Sequence, residues 1–467
     1  MRLYAVLFAV GLAVYGTVMW DRVGKQSGAP HFVLQANAWL HGSLAVQPPL
    51  RGDDWAKVET VQLDDGTLVE GRRLKTRPMF KTVDGSEIPM VRVKVGVSSL
   101  SYVSFPAFPA LLMIPSAIIG GTGGNDSIVV LLIAALILPL TMRVLRRLVE
   151  AGLSKRTVAD DLWLVATMAF GSVMFFSAVQ ADVWFAAHVV GVVLALVYAW
   201  ASIEARHPLI AGLALGAAAM TRTPMAFMFP LFLFEAWRFA ARQVAEAAGP
   251  EANASGSLNL AKGKAAIRKA IVKPVVRFMI PVVAFAIVGM IYNYVRFKSL
   301  TEFGHNYLDV RQQIQIEQYG LASYHYLGRN LAVAFTLLPE ILTGPPYVQI
   351  GGHGLAIWVT TPVLLLVVWP REKPPIHLAL WITVAAVALP SLMYQNSGWF
   401  QFGYRFSLDY MVFLVMLLAI GGRPLNKVAK TLMVLGIIVN LFGAITFHRK
   451  WQYYRGGAAA YDVVVPH

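Results

Sequence analysis

Apolar and polar residues follow one another along this chain in long blocks. The first apolar block, Leu3 to Trp20, is about as long as a helix that crosses a bilayer, so it predicts a retained first transmembrane helix. Further apolar blocks follow the polar region that ends near Asn125. Several of them are shorter than the ~20 residues that a lone span needs. Together they predict eleven transmembrane helices, of which the later ten are Ser127–Met142, Asp161–Ser177, Asp182–Ile203, Pro208–Met220, Met225–Trp237, Phe278–Val295, Leu355–Trp369, Ile376–Met393, Tyr410–Ile420 and Thr431–Phe447.

The positions of lysine and arginine orient these predicted helices. Cytoplasmic loops carry an excess of both residues. The loop after the second helix contains Arg143, Arg146 and Arg147, and a long basic run follows the sixth helix, whereas the short loops after the fifth and ninth helices contain only Arg222 and Arg405. The pattern therefore predicts a cytoplasmic N-terminus and an external C-terminus.

The sequence thus predicts an all-α polytopic membrane protein with about eleven transmembrane helices. The chain divides into eight regions. The large first loop contains two Asp-Gly turns between short alternating segments, which indicate small β-hairpins. Its end, Phe105–Pro115, is apolar but interrupted by prolines, and it predicts a juxtamembrane helix at the interface. The predicted regions are the first helix (1–20), an external loop (21–125), helices two to six (126–237), a cytoplasmic linker (238–277), helix seven (278–295), an external loop (296–354), helices eight to eleven (355–447) and an external tail (448–467).

The composition excludes several classes of protein. Of the 467 residues, 57% are hydrophobic and 14% are charged, and the mean hydropathy is +0.58. Such a chain is not a water-soluble enzyme, a disordered protein or a nucleic-acid binder, because a soluble fold needs a wettable surface. The net charge of +15 fits basic loops that contact lipid head groups or phosphates. The absence of cysteine excludes disulfides, thiolate metal sites and cysteine nucleophiles.

Three carboxylates of the first external loop are candidate catalytic groups. Asp21 ends the first helix, and Asp53 and Asp54 precede Trp55. A carboxylate beside the membrane surface can act as a general base on a sugar or lipid hydroxyl. The alternative for each of them is a solvated acid in a loop.

Arg222 and the segment from Tyr394 to Tyr410 are candidate binding groups. Arg222 lies in a short turn, where it either reaches lipid head groups or binds a specific phosphate. The segment interleaves aromatic rings with polar side chains. Rings stack on sugar faces, and polar side chains bind hydroxyls and phosphate oxygens. The alternative, an aromatic belt at the membrane interface, would not require the polar side chains. The candidate residues of the segment are Trp399, Gln401, Tyr404 and Arg405.

Three other ionisable residues are candidates for substrate binding. His305 lies in a second polar and aromatic segment, Asp182 opens the fourth predicted helix, and His188 lies within that helix. An ionisable residue in a span is a functional candidate, although a neutral, hydrogen-bonded histidine is equally consistent with the sequence. His305 and His31 have no ligand partner at helical spacing, so we assign no metal.

Three segments and the order of the elements resemble GT-C glycosyltransferases, a superfamily that includes protein O-mannosyltransferases, the lipid A aminoarabinose transferase and oligosaccharyltransferases. The segments are Phe32–Gly42, the proline-rich Phe105–Leu112, and Leu213–Ala217 with Thr221-Arg222-Thr223. The resemblance implies a GT-C-like helical bundle. It also implies transfer of a sugar from a polyprenyl-phosphate donor to a lipid, glycan or protein acceptor on the external face. Some relatives use a divalent cation, which nothing in this sequence demands.

The chain departs from the family at one position that matters. Members commonly carry an acid just before the segment that matches His31-Phe32-Val33, where this chain has Gly28-Ala29-Pro30. The catalytic acid would then be Asp21, Asp53 or Asp54, and we favour Asp54 together with Asp53. In the implied reaction, Arg222 and Arg405 offset the charge of the leaving polyprenyl phosphate.

Two other functions remain open at this point. One is a transporter or flippase of a lipid-linked saccharide, and the other is a catalytically silent GT-C-like subunit, which Gly28-Ala29-Pro30 would fit. Transporters often show paired halves and ionisable residues at mid-bilayer, and neither is evident here. We expect a multi-pass protein of a bacterial inner membrane with an external active site.

Overall fold

The computed structural model of the chain describes residues 1–47, 54–254, 260–310 and 312–456. Most of these residues are helical. The α-helices are α1 (Arg2–Val18), α2 (His31–Leu40), α3 (Phe108–Gly120), α4 (Asp126–Ala135), α5 (Ile137–Glu150), α6 (Val158–Ala169), α7 (Met174–Ala178), α8 (Val183–Ser202), α9 (Pro208–Ala219), α10 (Phe229–Ala254), α11 (Leu260–Phe297), α12 (Gln313–Tyr319), α13 (Leu327–Phe335), α14 (Ile357–Thr360), α15 (Ile376–Leu392), α16 (Leu408–Ile420) and α17 (Lys427–Thr446). The strands are β1 (Trp55–Leu63), β2 (Leu68–Arg73), β3 (Met79–Thr82), β4 (Glu87–Pro89), β5 (Val93–Val103), β6 (Glu340–Ile341), β7 (Val348–Gly351) and β8 (Tyr454–Arg455).

Long apolar helices mark the chain as a membrane protein. Within the described part of the chain, four helices are long and apolar enough to cross a bilayer. Shorter apolar helices include α1, α9 and α15. The count of eleven spans and their orientation remain predictions. The four long helices are Asp126–Glu150, Val183–Ala205, Gly263–Phe297 and Lys427–Thr446.

Several helix limits differ from those that hydropathy predicts. The second helix continues through α5 to Glu150, past the predicted end at Met142, because the arginines of its last turns are paired: Arg146 binds Asp161 and Arg147 binds Glu204. Its charged end is therefore compatible with a packed helix.

Two predicted spans are interrupted in the structure. The block Asp161–Ser177 is divided into α6 and α7 around Gly171, and the block Leu355–Trp369 is divided into α14 and a 3-10 helix that begins at Pro362. Proline lacks the N–H that a continuing α-helix needs, and glycine is a poor helix former.

Much of the predicted linker 238–277 is helical. Helix α10 continues to Ala254 and α11 begins at Leu260. Alanine and lysine are frequent in this region, and both are strong helix formers.

A five-stranded antiparallel sheet occupies much of the first loop, with the strand order β4-β3-β2-β1-β5. Asp64-Asp65-Gly66 connects β1 to β2, and Gly66 has a φ of 85°, which a side chain would disfavour. Val61 and Phe80 are fully buried between the strands. The sheet holds Trp55, paired with Val103, at the end nearest the helical bundle.

The chain between α1 and α2 is attached to the bundle by two aspartates. Ser27 donates from its N–H and its hydroxyl to Asp126. Ala29 donates its N–H to Asp182 Oδ1 at 3.0 Å, and its carbonyl accepts from the Val183 N–H at 3.0 Å. These contacts fix α2, which begins at His31, at the start of α8.

Helices α9 and α11 approach closely at two glycines. A Cβ at Gly212 would lie 2.1 Å from the carbonyl oxygen of Phe278, and one at Gly216 would lie 2.4 Å from the ring of Phe285. Small residues four positions apart allow helix backbones to meet in this way. This contact fixes the end of α9, which leads directly into the turn that carries Arg222.

Candidate functional site

The start of α8 carries two of the predicted residues, Asp182 and His188. Asp182 accepts a hydrogen bond from the Ala29 N–H in the segment that leads to α2. The ring of Trp184 lies 6.2 Å from that of His31, measured between centroids. His188 lies one helical turn after Trp184, on the same face of α8. The site is therefore organised by α8.

Asp54 and His31 form the first part of the site. His31 Nε2 lies 2.9 Å from Asp54 Oδ1, and the imidazole stacks on Trp55 at 4.0 Å. The side chain of His31 is 1% exposed, and that of Asp54 is 17% exposed. The other oxygen, Asp54 Oδ2, is shielded and has no hydrogen-bond partner among the residues that the structure describes. His31 thus holds one oxygen of the Asp54 carboxylate, and the other makes no hydrogen bond with the described residues.

Arg222, Asp409 and His188 form the second part. Arg222 donates from Nε and Nη2 to the two oxygens of Asp409, both at 2.8 Å. His188 Nδ1 lies 3.2 Å from Asp409 Oδ1. The bidentate geometry holds the Arg222 guanidinium in one orientation at the end of α9.

Arg405 adds a second buried cation. Its Nη1 donates to the carbonyls of Gly398 and Phe400, and its backbone N–H donates to Gln401 Oε1. The guanidinium lies over the ring of Phe185, 5.1 Å from its centroid. Burial and the neighbouring Arg222 charge lower the pKa of Arg405 to about 9, so it remains protonated at neutral pH.

The ring of Phe406 lies between the two cations. The Arg222 and Arg405 guanidinium carbons are 5.0 and 5.6 Å from its centroid, within the range of a cation–π contact. His188 and Tyr404 pack against the same ring at 5.8 and 5.9 Å. The tyrosine hydroxyl has no partner among the described residues, and burial raises its pKa, so it is a protonated donor.

His305 and Phe105 connect the two parts of the site. Phe105 packs on His31 at 6.0 Å and on His305 at 6.4 Å, and His305 in turn packs on Tyr394 at 6.1 Å. Burial, followed by the charge of Arg222, lowers the pKa of His305 to about 4. His305 is therefore neutral at physiological pH and can donate or accept a hydrogen bond.

Other predicted residues lie elsewhere. Arg449 donates from Nε and Nη2 to the two oxygens of Asp21, so neither oxygen is available without breaking an ion pair. Trp399 packs against His353 at 4.9 Å. Gln401 supports the Arg405 loop through the carbonyls of His353 and Ser397. Asp53 lies outside the described residues.

Three residues with central positions were not among the sequence candidates. Asp409 pairs with Arg222 across 187 positions of sequence, and its place in the dense aromatic segment was the available signal. His31 was considered only as a metal ligand, but it orients Asp54. Trp184 lies two positions after Asp182, on the turn before His188, and no pattern in the sequence separates it from an ordinary interfacial tryptophan.

The charges of the cluster around Arg222 favour an anionic ligand. Its two guanidinium groups, those of Arg222 and Arg405, are accompanied by the single carboxylate of Asp409, so one positive charge of this cluster is left uncompensated in a region screened from water. Among the described residues, no group of three or more His, Asp or Glu side chains could hold a metal ion. The arrangement can therefore bind an anion at the cluster around Arg222 and accept a proton at Asp54, both beside the first two turns of α8.

Comparisons with known proteins give one structural similarity. No protein family model and no curated protein matches the chain. The fold is similar to the crystal structure of the Archaeoglobus fulgidus oligosaccharyltransferase in the apo form, with a TM-score of 0.41 and 12% sequence identity over 97% of this chain and 56% of that one. The chain thus spans about half the length of that solved structure.

Proposed function

We propose that this protein is a membrane glycosyltransferase of the GT-C type. It transfers a sugar from a polyprenyl-phosphate donor to a hydroxyl of a lipid, glycan or protein acceptor on the external face of a bacterial inner membrane. The observation that carries the proposal is the organisation of the site along α8. The carboxylate of Asp54, with one oxygen that makes no hydrogen bond to the described residues, lies beside the first turn of α8, and the paired but overall cationic cluster around Arg222 lies about one turn further along that helix.

The proposed reaction uses Asp54 as the general base. Asp54 Oδ2 accepts the proton of the acceptor hydroxyl while the acceptor oxygen forms a bond to the anomeric carbon of the donor sugar. The bond from that carbon to the phosphate oxygen breaks, and its electron pair leaves with the polyprenyl phosphate. Attack from the face opposite the leaving group inverts the anomeric configuration.

His31 is a positioning residue in this scheme. Its stacking on Trp55 fixes the imidazole, and the contact between Nε2 and Oδ1 turns the other oxygen of Asp54 away. A carboxylate that is already oriented needs no reorganisation during the reaction.

Arg222 and Arg405 stabilise the departing phosphate. Asp409 orients Arg222 and neutralises one of the two positive charges, so the remaining charge matches the one that develops on the leaving group. The protonated hydroxyl of Tyr404 and the neutral imidazole of His305 are additional hydrogen-bonding groups near this cluster.

A catalytically silent subunit is the second candidate, and one observation favours it. Gly28 stands near the position where the resemblance places an acid, and a Cβ there would lie 3.3 Å from Asp182 Oδ1. In that case the cationic cluster would bind a lipid-linked phosphate without transferring its sugar.

A transfer assay separates the candidates. The full chain, purified and reconstituted in lipid vesicles, is supplied with radiolabelled hexoses linked to polyprenyl phosphate and with bacterial envelope lipids, glycans and proteins as acceptors. We expect label in an acceptor fraction. Binding of the donor without label transfer would instead support the silent subunit, and movement of intact donor across the vesicle bilayer would support a flippase.

A further inference from the structure

A second cavity lies between the sheet and the segment that follows α11. Its volume is about 970 Å³, at the upper end of the range for small-ligand sites. The walls come from β2 and β3, from residues 297–307 and from α12. None of the residues that form the candidate active site lines it.

The walls of this cavity are polar, and their charges cancel. Four cationic side chains and four carboxylates line it. Two pairs are already joined, Arg72 with Glu317 and Arg77 with Glu87. A cavity with balanced charge selects neither an anion nor a cation, in contrast to the cationic cluster around Arg222.

The two remaining carboxylates are bound locally. Glu302 accepts from the Gly304 N–H at 2.6 Å and from the side chain of Asn306, and Asp84 accepts from the Thr82 hydroxyl and from the Ser86 N–H. These carboxylates shape the walls and keep further lone pairs for a ligand.

Two lysines of the cavity supply donors. Neither Lys81 nor Lys298 has a carboxylate partner within the described ranges, and each ammonium carries three N–H groups. The ring of Tyr307 stacks on Phe297 at 5.0 Å between centroids, so it forms a fixed aromatic surface. Burial and the charge of Glu302 raise the pKa of Tyr307 to about 12, and its hydroxyl therefore stays protonated.

We propose that this cavity binds a neutral oligosaccharide. Sugar hydroxyls are both donors and acceptors, so they match a wall in which ammonium, amide and carboxylate groups are interleaved, and the apolar face of a sugar ring matches the ring of Tyr307. The volume accommodates more than a single ring. This proposal goes beyond the proposed function, because it concerns binding at a site distinct from the one assigned to transfer.

Glu317 keeps the cavity in shape. Besides Arg72, it accepts from the N–H groups of Lys75 and Thr76 and from the Thr76 hydroxyl. It therefore joins α12 to the turn between β2 and β3. These contacts between residues of the chain fix the walls relative to one another, and a rigid wall lowers the entropic cost of binding.

Binding to a printed array of neutral and anionic oligosaccharides and short polar peptides tests the proposal. The probe is the fluorescently labelled full chain in nanodiscs, and the strongest ligand on the array is then titrated by calorimetry. We expect neutral oligosaccharides to be retained in preference to the anionic ones and the peptides. Retention of no neutral oligosaccharide, or stronger retention of the anionic sugars or peptides, would overturn the proposal.

Three variants locate the binding. Tyr307→Leu and Lys81→Ala should each weaken binding of the array ligand by about tenfold or more, while the matched control Lys94→Ala, on the exposed strand β5 and outside the cavity, should leave it unchanged. The thermal unfolding of each variant reports whether it is folded. If Tyr307→Leu destabilises the protein, Lys81→Ala decides alone, and unchanged affinity in a folded Lys81→Ala would place binding elsewhere. Sugar transfer is not measured, so failure here leaves the proposed function standing.

Discussion

Arg222 and Asp409 form a two-point ion pair, with Nε and Nη2 of the arginine each 2.8 Å from one carboxylate oxygen. The pair joins the end of α9 to the start of α16, and the carboxylate is 1% exposed. Its burial makes each partner dependent on the other, because an isolated charge in such a place is costly.

Removal of the arginine should therefore destabilise the fold. We expect Arg222→Gln to lower the free energy of unfolding by about 3–5 kcal/mol, because it leaves the buried Asp409 carboxylate without its guanidinium partner. The double variant Arg222→Gln with Asp409→Asn should regain part of this loss. Thermal unfolding in detergent measures both effects, with the half-exposed Arg143→Gln as the control. Equal stability of all variants would show that the pair is not held as described.

The close contact between α9 and α11 gives a second prediction. Gly212→Ala should destabilise the protein by about 1–3 kcal/mol or more, because its methyl group would collide with the backbone carbonyl of Phe278. Gly328→Ala is the matched control, since Gly328 lies in helix α13 with nothing within 4 Å of its Cβ position. That change should be neutral or slightly stabilising. If the two variants shifted the unfolding temperature equally, the helices would not be in contact.

Glu317 provides a prediction about pH. Burial acts to raise its pKa, but hydrogen bonds from Arg72 and Thr76 outweigh burial and hold the pKa below its usual value. A carboxylate whose pKa is lower in the folded state stabilises the fold at pH values above its unfolded pKa, and this contribution is lost as the pH falls through the folded value. In the wild type, the contacts of Glu317 with the turn between β2 and β3 should thus weaken in acid. In Glu317→Gln these contacts should be weakened already at neutral pH, and acidification should change them less.

Hydrogen exchange at the Lys75 and Thr76 amides measures this effect locally, since both amides donate to Glu317. The amide of Val61, in the buried centre of β1, is the internal reference. Identical exchange at Lys75 and Thr76 in the wild type and in Glu317→Gln across the acidic range would contradict the proposed role of Glu317 in joining α12 to the turn between β2 and β3.

Several of the sequence candidates lie close together in the structure, and their roles stay predictions. The alternation of rings with Gln401 and Arg405 singled out one cation of the cluster around Arg222, and the position of Arg222 between two apolar blocks singled out the other. Their meeting through Asp409 depends on how α9 and α16 pack, which no local pattern contains. Similarly, Asp54 was favoured over Asp21 for its aromatic neighbour, whereas the contact with Arg449 that occupies Asp21 joins positions 428 residues apart.

The fold was predicted less evenly. Long apolar blocks gave α8 and α17 nearly to their ends, because burial in a bilayer and helix formation demand the same residues there. Hydropathy could not locate the extension of α5, since its arginines pair with carboxylates distant in sequence. It also could not find the cavity beside Tyr307, whose walls come from three separate segments.

Sugar transfer by Asp54→Asn tests the central claim most directly. Asparagine keeps the shape of the side chain and its contact with His31 but cannot accept the proton, so we expect the transfer rate from the polyprenyl-phosphate donor to fall by about 10²–10⁴-fold. Asp65→Asn, in the exposed turn between β1 and β2 and outside the cavity beside Tyr307, serves as the control and should keep the wild-type rate. A transfer rate in folded Asp54→Asn equal to that of the wild type would contradict the account.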